Sequence, residues 1–162
     1  MNDSPVFNRI VQWLRDEQVP FRHMHHEPTP TSEDAAKARG EPLHIGGKAI
    51  VLKADDTFIS CILSASLRLD AKALRRALGV KKIRFATPQE LLELTGLVPG
   101  SVPPFGEPIL PLPLYVDQSV ADQPRIAFNA GALTDSIIMA TDDYLRLAGA
   151  RVLAFSAPAK EA

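Results

Sequence analysis

The stretch KAIVLKADDTFISCILS, Lys48–Ser64, decides the fold. Two apolar, β-prone runs flank the pair Asp55-Asp56, a turn signal, so the segment reads as two antiparallel strands joined by a tight connection. Gly46 and Gly47 lead into it, and it is the clearest hairpin in the chain.

Toward the N-terminus, Ser4 and Pro5 open an amphipathic helix through Val6, Ile10, Val11 and Leu14, which Pro20 prevents from continuing. A strand follows over Phe21–His25. Thr31 or Ser32 then caps the short helix SEDAAKARG, with acids in its first turn and Gly40 at its end. On the other side of the hairpin, RLDAKALRRALG reads as a helix and KKIRFA as a strand. Thr87 and Pro88 start the helix PQELLELTG, which Gly96 stops. Six prolines between Pro99 and Pro113 forbid a helix or a central strand over those 15 residues. Strands resume at LYVD, RIAFN and SIIMAT, followed by the helix DDYLRLAG and a last strand, RVLAF. The helices are too irregularly placed for regular βαβ winding, so the fold class is α+β or mixed α/β.

The 162 residues, 46% hydrophobic and 23% charged, suit one domain spanning 1–162 with a core that needs neither disulfides nor structural metal. Cys61 is the only cysteine, which excludes an internal disulfide framework. The opening residues carry charges throughout, unlike a signal peptide. No stretch approaches the roughly 18 apolar residues of a membrane span, so a cytoplasmic protein without membrane contact is expected. No coiled-coil pattern stands out, and a monomer is the default.

Net charge is only −1, but it is unevenly distributed. From Arg68 to Arg84, seven basic residues face the single acid Asp70, a local +6 that leaves −7 for the remaining chain. Arg68, Lys72, Arg75 and Arg76 fall on one face of the expected helix, with Leu69, Ala73, Ala77 and Leu78 on the other. Such a face is either a solvated surface or a landing strip for phosphates.

Several familiar chemistries are excluded. Gly46-Gly47-Lys48 is not a phosphate-binding P-loop: Pro42 replaces the first glycine, and Ala49 follows the lysine where Ser or Thr is needed. Strand alternation sends His23 and His25 to one face and His26 to the other, which argues against a metal. Cys61 lies in the apolar run FISCILS and reads as a buried hydrophobe. No GxSxG elbow is present.

A lysine at the mouth of the hairpin, Lys48, and the loop TGLVPGSVPPFG, Thr95–Gly106, remain. Gly96, Pro99 and Gly100 form a G-x-x-P-G pattern, and Pro104, Phe105 and Gly106 follow as PFG. With HHEPTPTSEDAAKARG and GGKAIVLK before them and YVDQSV and FNAGALTDSIIMATDDYLRL after, this order resembles the YbaK/ProX family of aminoacyl-tRNA deacylases. These are free-standing relatives of the editing insertion of bacterial prolyl-tRNA synthetases. The resemblance runs from about His25 to Leu147.

The resemblance implies a curved, partly closed mixed sheet flanked by helices. It also implies hydrolysis of the ester that joins a wrong amino acid to the 3′ adenosine of tRNA, without a cofactor or metal. An ester is activated enough for a site that positions substrate and stabilises an oxyanion without a side-chain nucleophile. Lys48 would hold the terminal phosphate or ribose, or act as a general base if burial lowers its pKa. Backbone N–H groups at Gly100 and Ser101 would face the ester carbonyl. The water would be activated by the substrate's 2′-hydroxyl or by an ordered neighbour. His26, Gly96, Pro99, Phe105, Asn129 and Gly131 would line the substrate.

Arg68, Lys72, Arg75 and Arg76 gain the acceptor stem as a ligand, and prolyl-tRNA synthetase is a further partner to consider. The branch that clears alanine from proline tRNA carries N-F-H-P-L where this chain reads Asn129, Ala130, Gly131, Ala132 and Leu133. Gly131 in place of that histidine leaves cysteine, serine, threonine or a small non-protein amino acid open as the edited residue. The alternative function is a non-catalytic tRNA-binding or regulatory module of the same fold, against which Lys48 and the intact loop argue.

Overall fold

Ser4 caps the first helix, its hydroxyl accepting from the Phe7 N–H at 3.2 Å, and α1 runs Pro5–Asp16. The computed structural model describes residues 4–159. Next come β1 (Phe21–His25) and α2 (Ser32–Arg39), the latter capped by Thr31 and ended by Gly40 in the left-handed conformation. A single 3-10 turn, Leu43–Ile45, leads into the hairpin of β2 (Gly47–Ala54) and β3 (Thr57–Ser64). Asp55 makes the turn at φ 50°, and its carboxylate accepts from the Lys81 and Lys82 N–H groups at 3.0 and 2.9 Å.

After the hairpin lie β4 (Leu67–Leu69), α3 (Ala71–Leu78), β5 (Ile83–Phe85) and α4 (Pro88–Thr95). Thr87 and Glu90 form a capping box at the start of α4. The proline-rich segment follows without regular structure, then β6 (Leu114–Asp117), α5 (Gln118–Ala121), β7 (Arg125–Asn129) and β8 (Asp135–Ala140). The chain closes with α6 (Thr141–Ala148), β9 (Arg151–Leu153) and β10 (Ser156–Pro158).

Five strands form the main sheet in the order β5-β2-β3-β6-β9, three form a second in the order β1-β8-β7, and β4 pairs with β10. The fold is mixed α+β. A parallel bridge between Gly46 and Ala127 ties the start of β2 to β7, and no pairing among the described residues closes the sheets into a barrel. The hairpin is buried on both faces. Val51 and Ile62 enter one apolar cluster, while Leu52, Ala54, Cys61 and Leu63 enter the other with Leu74 and Phe155. Burial raises the Cys61 thiol to about 12, as befits an inert core residue.

The basic segment departs from the sequence expectation. Leu67–Leu69 is a strand, and the Asp70 carboxylate caps the following helix by accepting from the Ala73 N–H at 3.0 Å. Asp at a helix start satisfies an orphan N–H, which an interior position does not offer. Arg68 therefore leaves from β4, where its Nε donates to the Pro158 carbonyl at 3.0 Å, and only Lys72, Arg75 and Arg76 belong to α3. Leu69 packs from β4, and Ala77, expected on the apolar face, is exposed.

Candidate functional site

β5 pairs with β2 only at Leu52–Ala54, so the first half of β2 is an open sheet edge. A cavity of about 100 Å³ opens there, with Lys48 and Ala49 of β2, Arg39 of α2, Gly100 of the proline-rich loop and Asn129 of β7 around it. Strand alternation places Lys48 on the face it shares with Ile50 and Leu52. Its half-buried Nζ donates to the Leu67 carbonyl at 2.5 Å, just before Arg68. Burial lowers the Lys48 pKa, and the charge of Glu33 opposes the shift.

The loop motif has a direct geometric meaning. Val98, Pro99, Gly100 and Ser101 form a turn with proline second, glycine third at φ 88°, and the Ser101 N–H donating to the Val98 carbonyl at 3.1 Å. That is the composition of a type II turn, in which the third residue needs positive φ. The Ser101 N–H is thus committed within the turn, and its hydroxyl donates to the same carbonyl at 2.7 Å. Ser101 is also buried. Only Gly100 of the expected pair reaches the cavity, and no acceptor among the described residues takes its N–H. The Gly100 carbonyl accepts from Asn129 Nδ2 at 2.9 Å.

Behind Asn129 lies a buried arginine absent from the sequence-derived site. Arg39 donates from Nη2 to Asn129 Oδ1 at 3.1 Å and from Nε to Ser136 Oγ at 2.8 Å. Its relative exposure is 8%, and burial lowers its pKa to about 10 against the opposing charge of Glu41, so it stays cationic near neutrality. His26 completes the network, with Nε2 2.8 Å from Ser136 Oγ and Nδ1 2.8 Å from the Glu27 carbonyl. A carbonyl only accepts, so Nδ1 donates to Glu27, while the Ser136 hydroxyl also reaches Asn129 Oδ1 at 3.3 Å. His26 therefore acts one residue back from the cavity. The signal for Arg39 was its spacing from Ala35: residues four apart share a helix face, and that face is buried.

Residues 26–147 match the family described as the aminoacyl-tRNA editing domain. The chain belongs to that family. A multifunctional Ser/Thr-tRNA deacylase, ProXp-y of Escherichia coli (strain K12), is 35% identical over 160 residues, covering 94% of this chain and 93% of the relative. A proline–tRNA ligase of Shouchella clausii (strain KSM-K16) is 32% identical over 100 residues, 62% of this chain and 17% of the ligase. The crystal structure of a proposed trans-editing enzyme for prolyl-tRNA synthetase superposes with a TM-score of 0.81 at 28% identity, covering 96% of this chain and 99% of that one. The activity read from the motif order is that of the family: this editing domain is a hydrolase of aminoacyl-tRNA.

Other residues singled out from the sequence lie elsewhere in the editing domain. Gly96 ends α4 at φ 74° and is exposed, as is Pro99 on its turn. Phe105 is fully buried, its ring 5.2 to 5.5 Å from those of Trp13, Phe128 and Tyr144, so it is part of the core. Gly131, at φ 81°, is packed beneath α1. Its carbonyl accepts from Ser4 Oγ at 2.8 Å, and its N–H donates to the Ser101 carbonyl at 2.9 Å. Lys72 and Arg76 are exposed on α3 with Arg75 half-buried beside them, and Arg68 joins them from β4 next to the carbonyl that holds Lys48. His23 and His25 both approach Asp135 Oδ1, at 2.7 and 3.1 Å, while the next residue of β8, Ser136, serves His26 on the opposite face. Among the described residues no three His, Cys, Asp or Glu side chains are placed to hold a metal. No described helix is long and apolar enough to cross a membrane.

Proposed function

We propose that this editing domain removes a small wrong amino acid from tRNA of the proline type, acting in trans in the cytoplasm, where tRNA is charged. The observation that carries the reading is the juxtaposition of Lys48 and the unpartnered Gly100 N–H at one small cavity. A volume of about 100 Å³ is well below the roughly 300 Å³ at which ligand sites for larger molecules begin, so it admits an aminoacyl group and leaves the nucleotide outside.

Water attacks the ester carbonyl carbon, and negative charge develops on the carbonyl oxygen, toward the Gly100 N–H. Collapse breaks the bond to the ribose oxygen, which leaves with a proton as free tRNA, and the amino acid departs as its acid. The substrate's own 2′-hydroxyl, adjacent to the ester, orients the water. Lys48 holds the ribose or terminal phosphate with the protons that the Leu67 carbonyl does not take. Arg68, Lys72, Arg75 and Arg76 carry the acceptor stem through its phosphates, so affinity falls with salt and shows no base preference. Serine and threonine are the proposed amino acids, in line with the Escherichia coli relative. The match to part of a proline–tRNA ligase supports proline tRNA as the carrier and that synthetase as a partner.

The test is release of labelled amino acid from proline tRNA charged with serine, threonine, alanine, cysteine or proline. Rapid release of one or two of the small residues, with prolyl-tRNA spared, is the expected result. Salt-sensitive tRNA binding without release from any member would instead indicate a binding module.

A further inference from the structure

The guanidinium of Arg39 has more donors than the protein uses. Nε and Nη2 are committed to Ser136 and Asn129, and no acceptor among the described residues takes a proton from Nη1. Arg39 is more than nine-tenths buried, yet it lines the cavity. Gly46 flanks the free nitrogen: a Cβ added there would stand 3.7 Å from Nη1. Small residues, Ala35, Ala36, Gly47 and Ala65 among them, line the same cavity, as does exposed Gly100. Nη1 keeps surface open to the cavity, where a ligand oxygen can take the proton it otherwise offers to water.

We infer that Arg39 reads the aminoacyl side chain, donating from Nη1 to the hydroxyl oxygen of serine or threonine. This rests on the deacylase reading above and adds the residue that sets its specificity. Glu41 is paired with Arg125 at 2.6 Å and does not neutralise Arg39, so the choice of a hydroxyl over a carboxylate follows the serine and threonine of the relative, and the aspartate arm of the experiment tests it. Apolar contact alone discriminates weakly between side chains that differ by one small group. A site built to bond a hydroxyl leaves its own buried donor unpaired when the analogue lacks that group. Serine and alanine differ by that oxygen alone, so the pair isolates the contact.

The experiment measures kcat/KM on one tRNA body charged with serine, threonine, alanine or aspartate, for wild type, Arg39→Lys and Arg39→Met. The wild type is expected to favour serine over alanine by about 10- to 100-fold, the range of one hydrogen bond to a charged group. Both variants also lose the bond to Asn129, so both reactions slow; the serine reaction is expected to fall further than the alanine reaction, and the ratio is lost. A folded variant that keeps the ratio overturns the assignment. A wild-type ratio near one, or a preference for aspartate, overturns it without any variant, so a misfolded Arg39 substitution does not leave it undecided. No turnover of any member overturns the deacylase reading itself, a result distinct from turnover without discrimination.

Discussion

Asn129 holds Gly100: its side-chain nitrogen lies 2.9 Å from the glycine carbonyl oxygen, across 29 residues of sequence. That bond joins β7 to the loop turn and anchors the turn that carries the Gly100 N–H. The other end of the Asn129 amide accepts from Arg39, so a buried cation orients the amide that orients the turn. Asn129→Asp cannot donate from that position. It is expected to lower kcat by about 10- to 100-fold with a smaller change in KM, measured by single- and multiple-turnover deacylation.

Gly100→Ala tests the turn itself. At φ 88° a Cβ is strained, and it would meet Leu133 Cδ2 at 3.2 Å. A stability loss of about 1–2 kcal/mol by denaturant titration is expected, with a larger fall in kcat than the stability change explains.

Gly131→His restores the residue of the alanine-clearing pattern, but here it should not restore alanine specificity. The backbone is at φ 81°, and a Cβ would lie 2.8 Å from Val6 Cγ1 and 3.1 Å from the Phe7 nitrogen. Destabilisation on the order of 3 kcal/mol is expected, from positive φ plus overpacking against α1. A folded, stable variant with raised alanine activity would show that α1 does not cover this position.

Asp117 contributes to the acid limb of stability. Burial pushes its carboxyl up, but donors from Phe155, Ser119 and Ser156 outweigh that and leave its pKa below the ordinary 3.8. A depressed folded pKa stabilises fully above the unfolded value, and the contribution is lost as pH falls through the lower folded value. Asp117→Ala is expected to cost on the order of 3 kcal/mol near neutrality and to flatten the loss of stability below about pH 4, measured as Tm against pH. An unchanged acid slope would exclude Asp117 as a contributor to it.

Where structure is decided locally, the sequence was readable. Ser4, Thr31 and Thr87 cap the helices expected of them, and Asp55-Asp56 turns the hairpin. Residues whose state depends on distant partners were not. Arg68 looked helical because β4 exists only through pairing with β10, some 90 residues later. Lys48, Gly100 and Asn129 were reached through motif order, but Arg39 gains its role from Ser136 and Asn129, 97 and 90 positions away. Phe105 and Gly131 lie in the same motifs, yet Phe105 is fully buried in the core and Gly131 lines a different cavity beside α1, and spacing alone does not distinguish these placements from the Lys48 cavity.

Single-turnover deacylation of seryl-tRNA by wild type and Lys48→Ala, with enzyme saturating over tRNA, tests most directly that the ester is hydrolysed at this cavity. A drop of about 100-fold or more at unchanged Tm is expected if Lys48 positions the reacting end of the substrate. Equal rates for the two proteins would contradict the account, because hydrolysis would then proceed without the residue around which the site is built.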